Sequence, residues 1–283
     1  MYSLIAENQY GEQLELTNNS AYVITGIEGL NPPDAIINLT TRAGHDGSMF
    51  NSAHLDNRML IITIAINQPA EENRNNLYRF FRTAQKTRLY YSNDMHDVYI
   101  DGWSQNAPVE YFGEKQIFQA TLICPDPFWH AKADSVGIYS YIESGFEFPF
   151  SIDLNGIEFS TFDSSGVIEV VNRGNVEVGM LIEITTEGVI TDPKITNVST
   201  GEFIGISATI DVSSKFVINT RTDQKAVYVE DILGRKTNEF SNLMAGSKWL
   251  TCLPGTNRFI ISGQGTLTEM TCMVTVENLF QGV

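Results

Sequence analysis

No apolar run in this 283-residue chain approaches the ~20 residues needed to cross a bilayer. The longest, MLIITIAI at 59–66, fits a single buried strand. Cysteine is scarce: Cys124, Cys252 and Cys272. The number is odd and none falls in a C-x-x-C pair, which argues against a disulfide framework and for buried free thiols made in a reducing cytosol. Positive charge is scarce too, with 18 Lys and Arg against 34 Asp and Glu and a net charge of −16. Cut at residue 145, each part carries 9 basic and 17 acidic residues, so the acidity is spread rather than held in a tail. Such a surface repels nucleic acid instead of holding it. The start, MYSLIAENQYGEQLEL, has no basic region and does not read as a signal peptide.

Catalytic signatures are missing as well. There is no G-x-S-x-G, H-E-x-x-H, P-loop or G-x-G-x-x-G. The four histidines, His45, His54, His96 and His130, all precede residue 146, and none stands in a metal-ligand spacing. Carboxylates abound, but no pair stands out as a glycosidase acid and base. The expectation is therefore no enzyme, no cofactor and no metal.

What is present is a globular, strand-rich chain. Apolar residues make up 42%, and 283 residues suffice for two domains with separate cores. ELTNNSAYVITGIEGL reads as a strand with turns, Asn31-Pro32-Pro33-Asp34 as a break, and AIINLTTR as a strand. A polar loop, AGHDGSMFNSAHLDNR (43–58), then runs into the β-branched MLIITIAI. A helix is expected over about 69–86: Pro69 in its first turn, Glu71 and Glu72 at the positive end of the dipole, and Leu77, Phe80, Phe81 and Ala84 as one apolar stripe. Arg74, Arg79, Arg82, Lys86 and Arg88 cluster here, either as a solvated face or as an ionic contact with an acidic neighbour. RLYYSND, DVYIDGWSQNAPVEYF and KQIFQATLICPDPFW follow as a meander. Residues 132–145 read as a linker with one strand. From 146 onward short alternating strands recur between turn signals such as Asn155-Gly156, Thr200-Gly201 and Pro254-Gly255, the pattern of an antiparallel β-sandwich.

Within LICPDPFWHA, Cys124, Asp126 and His130 could suggest a nucleophile or a metal site. Alternation in IFQATLIC puts Phe118, Ala120, Leu122 and Cys124 on one apolar face, so Cys124 is expected in the core. Pro125 and Pro127 remove ladder donors and end the strand, and Phe128 and Trp129 plug the sheet end. The motif is read as punctuation closing a first domain over 1–131.

Several segments together carry a family resemblance. YVITGIEGL, NRMLIITIAI, the series RNNLYRFFRTAQKTRLYYSNDMHDVYIDGW and LICPDPFW resemble, in order and spacing, the distal tail (Dit) proteins of long-tailed bacteriophages. STGEFIGISATI, INTRTDQKAVYVED, LPGTNRFIIS and ENLFQGV are similar to the second domain of that family. The resemblance implies a mainly β chain: a tail-tube-like β-sandwich or split barrel with one helix, then a galectin-like β-sandwich over 146–283. It implies a homohexameric ring at the virion tail tip, assembled in the bacterial host cytoplasm. The ring joins tail-tube protein to tail-associated hub protein, in some members carries receptor-binding proteins, and passes DNA in transit, with no membrane contact. Ring contacts are expected from the 43–58 loop through His45, Met49, Phe50 and Leu55, and from the helix through Arg74, Arg79 and Arg82. An alternative function is a carbohydrate-binding module, because galectin-like sandwiches can bind sugars. The second domain has Trp249 but lacks the histidine that galectin-type sites use, and Trp249 is expected in the core.

Overall fold

The computed structural model describes residues 2–113, 115–140, 142–144, 160–162, 166–212, 214–265 and 270–283. It divides into two compact units, Met1–Lys132 with Leu279–Val283, and Ala133–Asn278.

The first unit contains β1 (Ser3–Asn8), β2 (Gln13–Glu15), β3 (Tyr22–Glu28), β4 (Ala35–Thr41), β5 (Ser48–Leu55) and β6 (Arg58–Ile66). Helix α1 (Ala70–Phe80) follows, then β7 (Lys86–Ser92), β8 (Asp97–Asn106), β9 (Val109–Glu110), β10 (Gln116–Cys124) and β11 (Trp129–Ala131). An antiparallel sheet runs β2-β1-β7-β8-β10-β6-β3. Two-residue periodicity decides which face is buried. Leu60, Ile62 and Ile64 of β6 and Phe118, Ala120 and Leu122 of β10 point inward and are wholly buried. The helix touches both β1 and β6, from opposite parts of the strand order, and seats Leu77, Phe80 and Phe81 in the same core.

The helix is shorter than the expected 69–86. Its end is set by the sheet rather than by its own sequence. Thr87 Oγ1 donates to the carbonyl of Phe80 at 2.9 Å, and Ser104 Oγ donates to that of Phe81 at 3.0 Å, so two of the unpaired terminal carbonyls are capped from neighbouring elements. Ala84 turns at φ 62° and donates to Ser104 O, which lets Lys86 begin a strand opposite Trp103. Ala84 is consequently exposed and does not extend the apolar stripe.

The loop expected over 43–58 is also corrected. Ser48–Leu55 is a strand, paired with β4 from Ala35↔Leu55 to Thr41↔Ser48, and only the segment between them turns. The pair forms its own two-stranded sheet. Asn38 Nδ2 donates to Ser52 Oγ at 3.0 Å, and Asn51 Nδ2 to Thr40 Oγ1 at 2.6 Å.

The second unit begins at β12 (Ser135–Ser140), which pairs along its length with the strand Met270–Val276. The one strand expected within 132–145 is therefore Ser135–Ser140, built into this sheet. Next come β13 (Ile142–Ser144) and β14 (Ser160–Phe162), paired with each other. The expected strand FEFPFSIDL, and Asn155-Gly156, lie outside the described residues. The remaining strands are β15 (Val167–Asn172), β16 (Val178–Thr186), β17 (Ile190–Asn197), β18 (Phe203–Gly205), β19 (Thr209–Ile210), β20 (Ser214–Asn219), β21 (Ala226–Asp231), β22 (Lys236–Asn238), β23 (Thr251–Cys252), β24 (Gly255–Gly265) and β25 (Met270–Val276). They make two antiparallel sheets, β12-β25-β16-β20-β21-β22 and β15-β24-β17-β18. Ile182, Ile184, Phe216 and Val274 of one sheet and Ile168, Ile195 and Phe259 of the other are buried, giving a β-sandwich. The sheets come close where β12 meets β15. There a Cβ on Gly137 would stand 2.5 Å from the Glu169 carbonyl oxygen, so only glycine fits.

The final segment departs from the expected 146–283 domain. The strand β26 (Leu279–Phe280) belongs to the first unit and pairs with β11, Trp129 opposite Phe280 and His130 opposite Leu279.

Candidate assembly surfaces

The β4–β5 hairpin has no core. Every residue of β4 is exposed, and β5 is exposed except at Leu55, which is half-buried. Yet the hairpin carries Ile36, Ile37, Leu39, Met49 and Phe50, with Leu39 and Phe50 opposite each other and 56% and 63% exposed. Single exposed apolar residues are ordinary, but five large ones on one short hairpin are more than solvent exposure alone calls for. His45 and Met49 line a shallow concavity at the hairpin tip with Arg42, Asp46, Gly47 and Ser48.

The three helix arginines separate. Arg74 is part of the local packing: it donates to Gln116 Oε1 at 2.8 Å and lies over the Tyr111 ring at 5.1 Å. Arg79 pairs with Glu12. Arg82 is exposed and lines, with Tyr10, Glu12, Tyr78, Arg79 and Gln85, a cleft of about 540 Å³. Sequence reading missed Tyr10 and Glu12, because nothing local signals that the β1–β2 turn meets a helix some 65 residues on. Lys86 and Arg88 belong to the sheet, where both pair with Asp101 at 2.8 and 2.7 Å. Burial would raise the Asp101 carboxyl, but these cations hold it below the usual range.

The Cys124–His130 segment is structural. Cys124 is wholly buried, and Gly102 makes room for it: a Cβ there would lie 2.9 Å from the thiol. Burial pushes the thiol up to about 12, the opposite of an activated nucleophile. Asp126 accepts from the Phe128 amide at 3.1 Å and pairs with His130 Nε2 at 2.9 Å. Burial works against its charge, and those two contacts outweigh it and hold the carboxyl low. Trp129 is wholly buried.

Beside it stands Arg58, 2% exposed. Its guanidinium donates to the carbonyls of Pro127 (2.8 Å), Gly29, Asn31 and Gln281, and it lies 5.8 Å from the centre of the Trp129 ring. One side chain therefore ties the head of β6 to the turn after β10, the loop after β3 and the C-terminal segment. A cation at the head of an apolar run was the only sequence signal for it. Cys252 and Cys272 are buried free thiols; burial raises both, Cys252 to about 12. Trp249 is half-buried rather than in the core, tilted against Phe240 at 5.9 Å with Lys225 over its ring. Among the described residues no group of three or more His, Cys, Asp or Glu could hold a metal, and no helix is long and apolar enough to cross a membrane.

The described residues form two β units, the first of which extends an exposed hairpin. Residues 173–275 match the family model described as the siphovirus-type tail component, C-terminal domain. No curated protein matches the chain in sequence. The crystal structure of the Dit protein of phage SPP1, titled a paradigm of hub adsorption apparatus in Gram-positive infecting phages, superposes with TM-score 0.68 at 11% identity, over 98% of this chain and 99% of that one. A chain of the phage P2 baseplate in its activated conformation with Ca superposes with TM-score 0.51 at 10% identity, over the full length of both. Residues 173–275 are thus similar to a siphovirus-type tail component domain, and the chain as a whole shares the fold of the SPP1 Dit protein.

Proposed function

We propose that the chain is a ring-forming adaptor at the distal tip of a siphovirus-type tail. Six copies join the tail-tube protein on one side to the tail hub or baseplate on the other, and DNA passes through the centre. The virion tail tip is its site of action, and assembly takes place in the host cytoplasm. The reading is supported by the likeness to the SPP1 and P2 tail proteins over nearly the full chain. The observation that carries it is the hairpin: an element exposed along nearly its whole length and studded with large aliphatic and aromatic side chains needs a partner. Burying Phe50 or Leu39 against a neighbour would each contribute about 1.5–3 kcal/mol. A ring demands a head-to-tail contact, in which a projecting element on one face meets a different surface on the next copy. Met49, Phe50 and Leu55 act here with Ile37 and Leu39, and His45 belongs to the tip.

The test is the mass of the purified chain by light scattering over a concentration series, with negative-stain images. Parent protein is expected to form open rings. Leu39→Asp with Phe50→Asp is expected to stay monomeric with unchanged melting, because neither side chain enters the core. Rings of normal mass from that double variant refute the reading.

A further inference from the structure

We infer that the cleft between α1 and the β1–β2 turn is the acceptor for the hairpin tip of the adjacent copy, with the Asp46 carboxylate of one copy meeting the Arg82 guanidinium of the next. The inference rests on the ring reading and deepens it by naming the receiving surface.

A head-to-tail contact requires a concave partner for the projecting hairpin, elsewhere on the same unit. The cleft is concave, and its wall is already rigid. Asn8 Oδ1 accepts from the Tyr10 and Glu12 amides at 3.0 and 3.1 Å, and Asn8 Nδ2 donates to Glu12 Oε2 at 2.7 Å. Glu12 in turn holds Arg79. Little ordering is left to oppose docking. Tyr10, 71% exposed, offers a large apolar face with a polar end at the rim.

Charge points the same way. The chain carries −16, yet this cleft holds two arginines against one glutamate. Glu12 satisfies Arg79; Arg82 has no ion-pair partner among the described residues. An unpaired guanidinium in a rigid cleft on an acidic protein selects a carboxylate. The hairpin tip supplies one. Asp46 is exposed in the turn between β4 and β5, shaped by Gly44 at φ 79° and Gly47 at φ 86°, and it too lacks an ion-pair partner among the described residues. Arg42 stands beside it, so the tip presents one cation and one anion to a cleft of two cations and one anion.

The experiment is a charge swap read by light scattering on the full chain. Arg82→Asp and Asp46→Arg are each expected to raise the concentration for half-assembly by at least about tenfold, the lower range for close interfacial charge pairs. The double variant Asp46→Arg with Arg82→Asp is expected to recover most of that loss. Single variants that assemble like the parent overturn the inference, as does a double variant no better than either single one. The Leu39→Asp, Phe50→Asp chain runs alongside. If it fails to assemble while Arg82→Asp assembles normally, the cleft is wrong and the ring reading stands; if it too assembles normally, the ring reading itself fails. A parent chain monomeric at every concentration overturns the contact as one that drives self-assembly.

Discussion

Arg58→Ala is the most informative single change in the first unit. The guanidinium is 2% exposed and donates to four backbone carbonyls, and it forms no ion pair among the described residues. Burial lowers its pKa from the ordinary value. Hydrogen bonds from a charged group contribute about 1.5–3 kcal/mol each, so four give roughly 6–12. Taking the cation out of water costs several kcal/mol in the other direction. The alanine variant also leaves a cavity beside Trp129 and four carbonyls without a donor, some of which can turn to water. A net loss of about 3–5 kcal/mol follows, on the order of what removing one member of a buried charged network costs. That corresponds to roughly 10–17 °C in the midpoint of a unit this size. Arg58→Lys keeps the charge but replaces a planar fork by a point donor and should lose about half as much. The decisive assay is hydrogen exchange resolved by segment. Amides of β11 and β26 should lose protection in Arg58→Ala, while those of β16 and β25 in the second unit keep theirs. Unchanged protection at Leu279–Val283, or a stability loss under about 0.5 kcal/mol, refutes the account of Arg58 as the fastening of the C-terminal segment.

Other outcomes follow from the same reasoning. The three buried thiols should resist a thiol reagent at pH 8 in the native state and react together on unfolding; rapid native labelling of Cys124 would show that its pKa is not raised. Asp101 and Asp126 have carboxyls held below their unfolded value near 3.9. Their contribution is therefore present above about pH 4 and is lost as pH falls through the lower folded values. Asp126→Asn should flatten part of the acid limb of the stability curve, and an identical limb would remove Asp126 from it. In a glycan screen the full chain should bind no sugar; retention abolished by Trp249→Ala would instead support a carbohydrate-binding role for the second unit.

Strand identity was legible wherever one face is buried. MLIITIAI and IFQATLIC alternate because they line a core, and the proline pair after Cys124 announces the end of a strand. The hairpin was half-missed for the converse reason: Ser48–His54 is exposed throughout, so no alternation marks it and its polar composition imitates a loop. The helix ended early because its last carbonyls are capped by Thr87 and Ser104, and Ser104 lies more than twenty residues downstream. One strand was legible within 132–145, but its pairing, Val136 with Thr275 and Ile138 with Met273, is a long-range contact that no local pattern encodes. Of the residues proposed for assembly, Met49 and Phe50 could be named from the sequence as apolar side chains in polar surroundings. Arg82 could be grouped but not singled out from Arg74, since only the fold shows that Gln116 and Tyr111 engage the one and leave the other open.

The return of Leu279–Phe280 to pair with Trp129–His130 makes the second unit an insertion within the first rather than an appendage to it. The chain departs after Lys132 and re-enters at Leu279, beside its own point of departure. A protease that cuts once anywhere in the second unit thus releases nothing, because each fragment remains anchored by its own strand, β11 or β26. The same connectivity makes the second unit exchangeable in evolution. A different insert whose ends lie a strand spacing apart could replace residues 133–278 without altering the hairpin, the cleft or the sheet that carries them.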